Sequence, residues 1–210
     1  MYRQGMHLTC LHTAQVHCAT FNSLRDRITP GTRLEHIVRR EWLERAQDGV
    51  DDTLRSEITD QIKALRGPVI CTCTTLGDIA EAAGAIRIDR PMMHRAAENW
   101  GDILLAYCLK STEGPSTSLL RQEMDNEGNP YNIVPLHLGR HWHLFEEGEP
   151  HAFSRAIAKD IRAAYGQRSG IKAVVLAQAS MAGAAVLLSD LPAPVLSSPV
   201  LALKEGLARL

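Results

Sequence analysis

Two stretches of this chain, 105 positions apart, read alike: "VICTCTTLGDIAEA" from Val69 and "VVLAQASMAGAAVL" from Val174. Each is an apolar run, then a short polar turn, then small residues suited to opening a helix. In this overlay Cys73 falls on Gln178 and Thr75 on Ser180. At a slightly smaller offset "MHLTCLHTA" falls on "ILLAYCLKST", which sets Cys10 over Cys108 and Thr13 over Ser111, while "RLEHIV" falls on "NIVPLH". A chain that repeats its own pattern of elements at this spacing is a duplicated unit, and that restricts the folds open to it more than any single motif does.

The pattern within each repeat is strand, helix, strand, helix. Short apolar runs rich in β-branched residues occur at 6–12, 33–38, 68–73, 85–88, 102–108, 131–138, 172–177 and 193–196. Amphipathic stretches separate them, such as "VDDTLRSEITDQIKAL", where Leu54, Ile58, Ile62 and Leu65 recur at helical spacing, and "AFSRAIAKDIRAAY", where Phe153, Ile157, Ile161 and Tyr165 do. Regular alternation of this kind predicts an α/β fold of two pseudo-symmetric halves, each a mainly parallel sheet flanked by helices. The halves are expected at 1–95 and 96–197, with the last helix, 198–210, packing back on the first, and Pro91 and Pro199 opening the helices that leave each motif half. Open α/β sheets bind ligands beyond the carboxyl ends of their strands. The expected site is therefore a cleft between the halves, with residues 73 and 178 meeting a ligand from opposite sides.

Which ligand is narrowed by charge. Twenty-three basic residues nearly balance 24 acidic ones and no Lys/Arg run stands free of interleaved acids, so a nucleic-acid partner is not expected. No apolar run reaches bilayer length and the first eighteen residues lack the apolar core of a secretory signal, so the expectation is a cytoplasmic protein with no membrane association. The five cysteines, at 10, 18, 71, 73 and 108, are odd in number and fit no disulfide framework; they are expected as thiols.

Among these, strand alternation sends Cys71 and Cys73 to one face, Cys71 inside the apolar run and Cys73 at its end. Cys71 reads as packing. Cys73, just before a helix start, would meet unpaired backbone N–H groups that favour a thiolate, with the hydroxyls of Thr74 and Thr75 beside it for an anion. A metal is not expected: Cys71-x-Cys73 lacks a second cysteine pair, and His137, His141 and His143 have no carboxylate in their own segment to complete a set. Those three histidines read as solvent-facing or capping. Phosphate-cradling glycine motifs and the serine-hydrolase elbow are absent from the sequence, and "GQRSG" reads as a helix stop.

The strand-Cys-Thr-Thr turn at Cys73, repeated as an apolar strand running into the turn at Gln178, resembles the aspartate/glutamate/hydantoin racemase superfamily, which also includes maleate isomerases and arylmalonate decarboxylases. The likeness runs over nearly the whole chain. It implies that Cys73 is the first active-site cysteine and that Ser111 and Thr112, in a loop after the fifth strand, help hold a substrate carboxylate. It also brings in Thr13, His12 and His17 of the first-strand loop as substrate contacts, with no cofactor and with a homodimer or higher homo-oligomer allowed.

One position departs from the family pattern. Gln178 stands where a racemase has its second cysteine, and an amide neither takes nor delivers a proton usefully near neutrality. The expected function is cofactor-independent, cysteine-based acid/base chemistry at the carbon next to the carboxylate of a small amino acid or related acid, with Gln178 donating its amide to a carboxylate or enolate oxygen. Two alternatives stand beside it: a one-cysteine decarboxylase or cis-trans isomerase of a small dicarboxylate, and a carboxylate-binding protein without turnover.

Overall fold

The computed structural model describes residues 7–47 and 49–210. Met6, at the head of the first predicted strand, lies outside them. Each of the predicted apolar runs carries a strand, and the described chain separates into two compact units. One unit runs through Ile88 and takes in Pro199–Leu210; the other is Asp89–Ser198. The division at residue 88 replaces the expected one near 95 because the helix Arg90–Ala97 packs on elements of the second unit.

In the first unit the order is β1 (Leu8–His12), α1 (Val16–Ile28), β2 (Leu34–Val38), α2 (Arg40–Ala46), α3 (Asp52–Ala64), β3 (Val69–Cys71), α4 (Gly77–Ala82) and β4 (Ile86–Arg87). The second unit contains α5 (Arg90–Ala97), β5 (Asp102–Tyr107), α6 (Lys110–Asn126), β6 (Ile133–His137), α7 (Trp142–Glu146), α8 (Pro150–Gly166), β7 (Ile171–Leu176), α9 (Gly183–Leu187) and β8 (Val195–Ser197). The chain ends in α10 (Ser198–Ala208). Both sheets are parallel, and they share one order: β2-β1-β3-β4 in the first unit and β6-β5-β7-β8 in the second.

Helix α3 shows how local sequence fixes an element. Asp51 lies just ahead of the helix in extended backbone and its carboxylate accepts from the Leu54 N–H at 2.7 Å, which satisfies one of the donors a helix start leaves open. Leu54, Ile58 and Ile62 then share a face and are buried with Leu11 and Cys71 of the sheet and with Cys73 just beyond it. On the other face of that sheet Phe21 of α1 lies against the His12 ring at 5.6 Å, and α10 closes on Leu8 and Ile70.

That last contact is tight at Gly206. A Cβ built there would stand 2.8 Å from Ile70 Cδ1 and 2.9 Å from both Leu8 methyls, inside contact distance of two fully buried side chains. Gly206→Ala is therefore expected to destabilise the protein by about 1–3 kcal/mol through overpacking. Urea unfolding checks this; an unchanged midpoint would show that α10 slides freely on the sheet.

The repeat is visible in the hydrogen bonds that close each sheet. Arg39 donates its N–H to the His12 carbonyl at 2.8 Å and Leu138 donates to the Tyr107 carbonyl at 2.7 Å; Thr72 donates to Leu11 and Ala177 to Ala106, both at 2.9 Å. His12 thus corresponds to Tyr107, Thr13 to Cys108, and Cys73 to Gln178. The overlay of Cys10 on Cys108 and Thr13 on Ser111 is corrected by this ladder, which pairs Cys10 with Leu105. Matching one cysteine to another had shifted the register, whereas the main-chain bonds set it.

Candidate active site

Cys73 lies two residues past the end of β3, in a loop, Thr72–Leu76, that leads into α4. Its side chain is on the same side as Cys71, within the buried cluster that also holds Leu11, Leu76 and Ile79. The residue is 7% exposed, against 1% for Cys71, whose sulfur turns to the Cys73 carbonyl at 3.7 Å. Four donors converge on the Cys73 sulfur: the hydroxyls of Thr13 and Thr75 and the backbone N–H groups of Thr75 and Leu76. Thr74 is buried beside them, its carbonyl accepting from the Gly77 N–H at 3.0 Å.

These donors stabilise a thiolate, yet burial outweighs them and raises the thiol above its ordinary value. The expectation that the helix start makes Cys73 a ready thiolate is corrected accordingly. Helix α4 has only six residues, and the sulfur lies among hydrocarbon on its other side. Cys73 rests as a thiol, with these four donors set around its sulfur.

A buried cation lies behind this loop. Arg87, on β4 beside Cys71, is 2% exposed, and its guanidinium reaches the Asp78 carboxylate. Its side chain occupies the space a Cβ would take at Gly77, which would stand 2.7 Å from Arg87 Nε and 3.0 Å from its Cγ. Sequence reading passed over Arg87; the signal was a lone arginine inside the apolar run "AIRI".

His12 ends β1 fully buried, with Nδ1 2.8 Å from Thr72 Oγ1 and Nε2 2.8 Å from His36 Nδ1. Burial first, and then the neighbouring imidazoles, hold it neutral, down to about 3. His17, in α1, is buried as well, its ring 6.1 Å from that of His12, and burial brings it down to about 4. Both are neutral rings in the interior, close to each other, rather than charged groups on an open surface. One ligand atom from each of Cys10, His12 and His36 lies within 4.8 Å of the others, a grouping that sequence reading did not make because His36 sits on a different strand.

The corresponding place in the second unit is built on Gln178. The residue is 7% exposed and extended, at the entry to a 3-10 turn, Ala179–Met181. Its Oε1 accepts from the Cys108 N–H at 2.7 Å and the Leu109 N–H at 3.0 Å, bridging from the end of β7 to the start of α6. Just as Thr13 bonds to Cys73, the main chain at the equivalent Cys108 bonds to Gln178. With its oxygen so used, the amide N–H₂ is what Gln178 has left to offer a ligand. Ser180, in the turn, has a buried hydroxyl without a hydrogen-bond partner among the described residues.

Ser111 and Thr112 are not in a loop, as expected, but in the first turn of α6, which begins at Lys110. Helix starts there because extended Leu109 is held by Gln178 and the Thr112 N–H already reaches the Leu109 carbonyl at 3.0 Å. Thr112 is buried and Ser111 half-buried. Cys108 packs in the apolar cluster of α8 and α9, and burial pushes its thiol up to about 12, so it is no substitute for the missing second cysteine. His141 departs from the solvent-facing reading: its Nε2 is 2.5 Å from Asp160 Oδ2, while His143 bonds to the Arg140 carbonyl and His137 to that of Cys108.

No family model and no curated protein matches this sequence. Solved structures do match in fold. The glutamate racemase of Francisella tularensis in complex with D-glutamate superposes with a TM-score of 0.72 at 13% identity, covering 96% of this chain and 79% of the other. Allantoin racemase from Klebsiella pneumoniae gives a TM-score of 0.67 at 17% identity over 97% of this chain and 87% of its own. Picrophilus torridus aspartate racemase gives 0.68 at 14% identity, over 98% and 96%. The two parallel sheets, which share one strand order, are thus the fold that these racemases have.

Proposed function

We propose that this protein is a cytoplasmic, cofactor-independent enzyme of the racemase/isomerase type, using Cys73 for acid/base chemistry at the carbon next to the carboxylate of a small amino acid or related acid. The observation that carries the reading is the sulfur of Cys73 at the carboxyl end of a parallel strand, with four hydrogen-bond donors gathered on it. Such donors have little to do for a packed thiol and much to do for a thiolate. The racemase fold of the whole chain supports the same reading.

In this mechanism Thr13, Thr75 and Leu76 hold the charge on sulfur while it carries no proton, and Thr74 supports the loop. Gln178 donates its amide N–H to a substrate carboxylate or to the enolate oxygen that develops. Ser180, Ser111 and Thr112 supply further hydroxyls for the acid, and His12 and His17 support Thr13 as neutral rings. A second reading rests on two observations: Gln178 replaces the other cysteine, and burial keeps Cys73 protonated. Both suit an enzyme that protonates one face of the carbanion left by decarboxylation of a small dicarboxylate.

The pH profile separates these. If the thiolate removes the proton, its fraction grows about tenfold per pH unit below the thiol pKa, which lies above the ordinary value of 9.0. Deuterium exchange into amino acids or hydantoins, followed by NMR, should then climb steadily from pH 7 through pH 9. If the thiol donates the proton, decarboxylation of malonates should be level over that range and fall only at higher pH. A carboxylate that raises the melting temperature with neither reaction would point to the binding protein without turnover.

A further inference from the structure

We propose that Cys10, His12 and His36 form a site for a thiophilic divalent cation, with Zn²⁺ as the metal of best fit. The three residues come from neighbouring strands of one sheet. Cys10 and His36 are direct partners in the β1–β2 register, and His12, two residues on from Cys10, shares its face. One sulfur and two imidazole nitrogens within 4.8 Å of one another are the donor set that suits zinc.

The outer hydrogen bonds give a second, independent reason. Thr72 donates its hydroxyl to the Leu11 carbonyl at 3.2 Å, so its oxygen accepts from His12 Nδ1–H at 2.8 Å. On the far side His36 Nε2 lies 3.1 Å from Asn22 Oδ1, an acceptor, so that nitrogen also carries a proton. In two neutral rings so fixed, His12 Nε2 and His36 Nδ1 are both lone pairs, and they face each other at 2.8 Å. Two acceptors held against each other in a buried place repel unless a cation comes between them. Metal-bound histidines are typically set in this way, each with its other N–H given to an outer acceptor. A shared proton is the competing occupant of that gap.

For zinc to enter, the rings would open by a few tenths of an ångström and Cys10 would release its proton to solvent as its sulfur binds the metal. The site is distinct from Cys73, whose sulfur belongs to the opposite face of the sheet. Its loading would clamp β1 to β2 directly behind Thr13 and Thr72.

The test uses the full chain, stripped with chelator and titrated with Co²⁺ in a thiol-free reductant. The expected result is one equivalent bound, with the near-ultraviolet charge-transfer band of a cobalt–thiolate bond and the strong visible bands of tetrahedral cobalt, all displaced by Zn²⁺. Cys10→Ala should remove the charge-transfer band. His36→Gln, at a half-buried position that tolerates exchange more readily, should weaken binding at least tenfold, while Cys73→Ser should leave the spectrum unchanged. Absence of a charge-transfer band in the wild-type protein would overturn the proposal, as would a band that persists in Cys10→Ala or disappears in Cys73→Ser. If Cys10→Ala does not fold, undiminished cobalt binding by His36→Gln would overturn it equally.

Discussion

Replacing Cys73 by serine is expected to lower deuterium exchange next to the substrate carboxylate by a factor of about 10² to 10⁴ or more, the usual contribution of a positioned acid or base. The fold should survive. Serine is smaller than cysteine and its oxygen can accept from the same four donors, the hydroxyls of Thr13 and Thr75 and the N–H groups of Thr75 and Leu76. What it cannot do is ionise near neutrality. The variant should therefore still bind carboxylate, seen as an unchanged ligand-induced rise in melting temperature, while turnover is lost. Cys71→Ala is the control, since Cys71 lies on the same face and only 1% exposed. It should cost stability by leaving a small cavity and should retain exchange. Equal activity of Cys73→Ser and wild type would remove Cys73 from the mechanism; equal loss in the two variants would assign the effect to packing.

Much of the fold could be read from period alone. "VDDTLRSEITDQIKAL" and "AFSRAIAKDIRAAY" became α3 and α8 because their apolar residues recur every third or fourth position and each opens with a residue suited to a helix start, Asp51 or Pro150. The short apolar runs became parallel strands because each is followed by a helix that returns the chain to the same end of the sheet. Within the repeat, the 105-residue offset survived because both motif strands end in the same ladder bond, from Thr72 and from Ala177. The other overlay slipped because it followed a residue type. Cys10 and Cys108 are chemically alike, but the first faces α1 from inside a strand and the second stands after one.

The site was legible in its residue types and less so in its energetics. Cys73 with Thr13 and Thr75 could be anticipated from strand ends, since loops at the carboxyl edge of a parallel sheet converge. The sign of the thiol shift could not, because it depends on how many apolar side chains surround one sulfur. Neither could the pairing of His12 with His36, which are 24 positions apart in sequence and meet only because β1 and β2 run side by side. Arg87 was hidden for the same reason: an arginine in a short apolar run has meaning only once Gly77 is seen to leave room for it.

Gln178 is the residue whose role changed most, and it carries the second large prediction. Sequence treats it as a cysteine that is missing, whereas in the fold it is an acceptor that two buried N–H groups require. Gln178→Leu, close in size, should orphan both Cys108 N–H and Leu109 N–H and destabilise the protein by about 2–6 kcal/mol, given roughly 1–3 kcal/mol for each unsatisfied buried group. The loss should be local as well as global. Hydrogen exchange at Cys108, Leu109 and the first turn of α6 should speed up well before the sheet opens, since Leu109 is what fixes the start of that helix. Gln178→Glu keeps the acceptor and should hold both amides protected. Gln178→Cys, which restores the racemase residue, should show the same exposed amides as the leucine variant, so its melting temperature must be raised by ligand or temperature lowered before its racemisation is compared with wild type. Equal amide protection in wild type and Gln178→Leu would show that the bridge is not what anchors α6. In that case the glutamine would be free to serve the substrate alone.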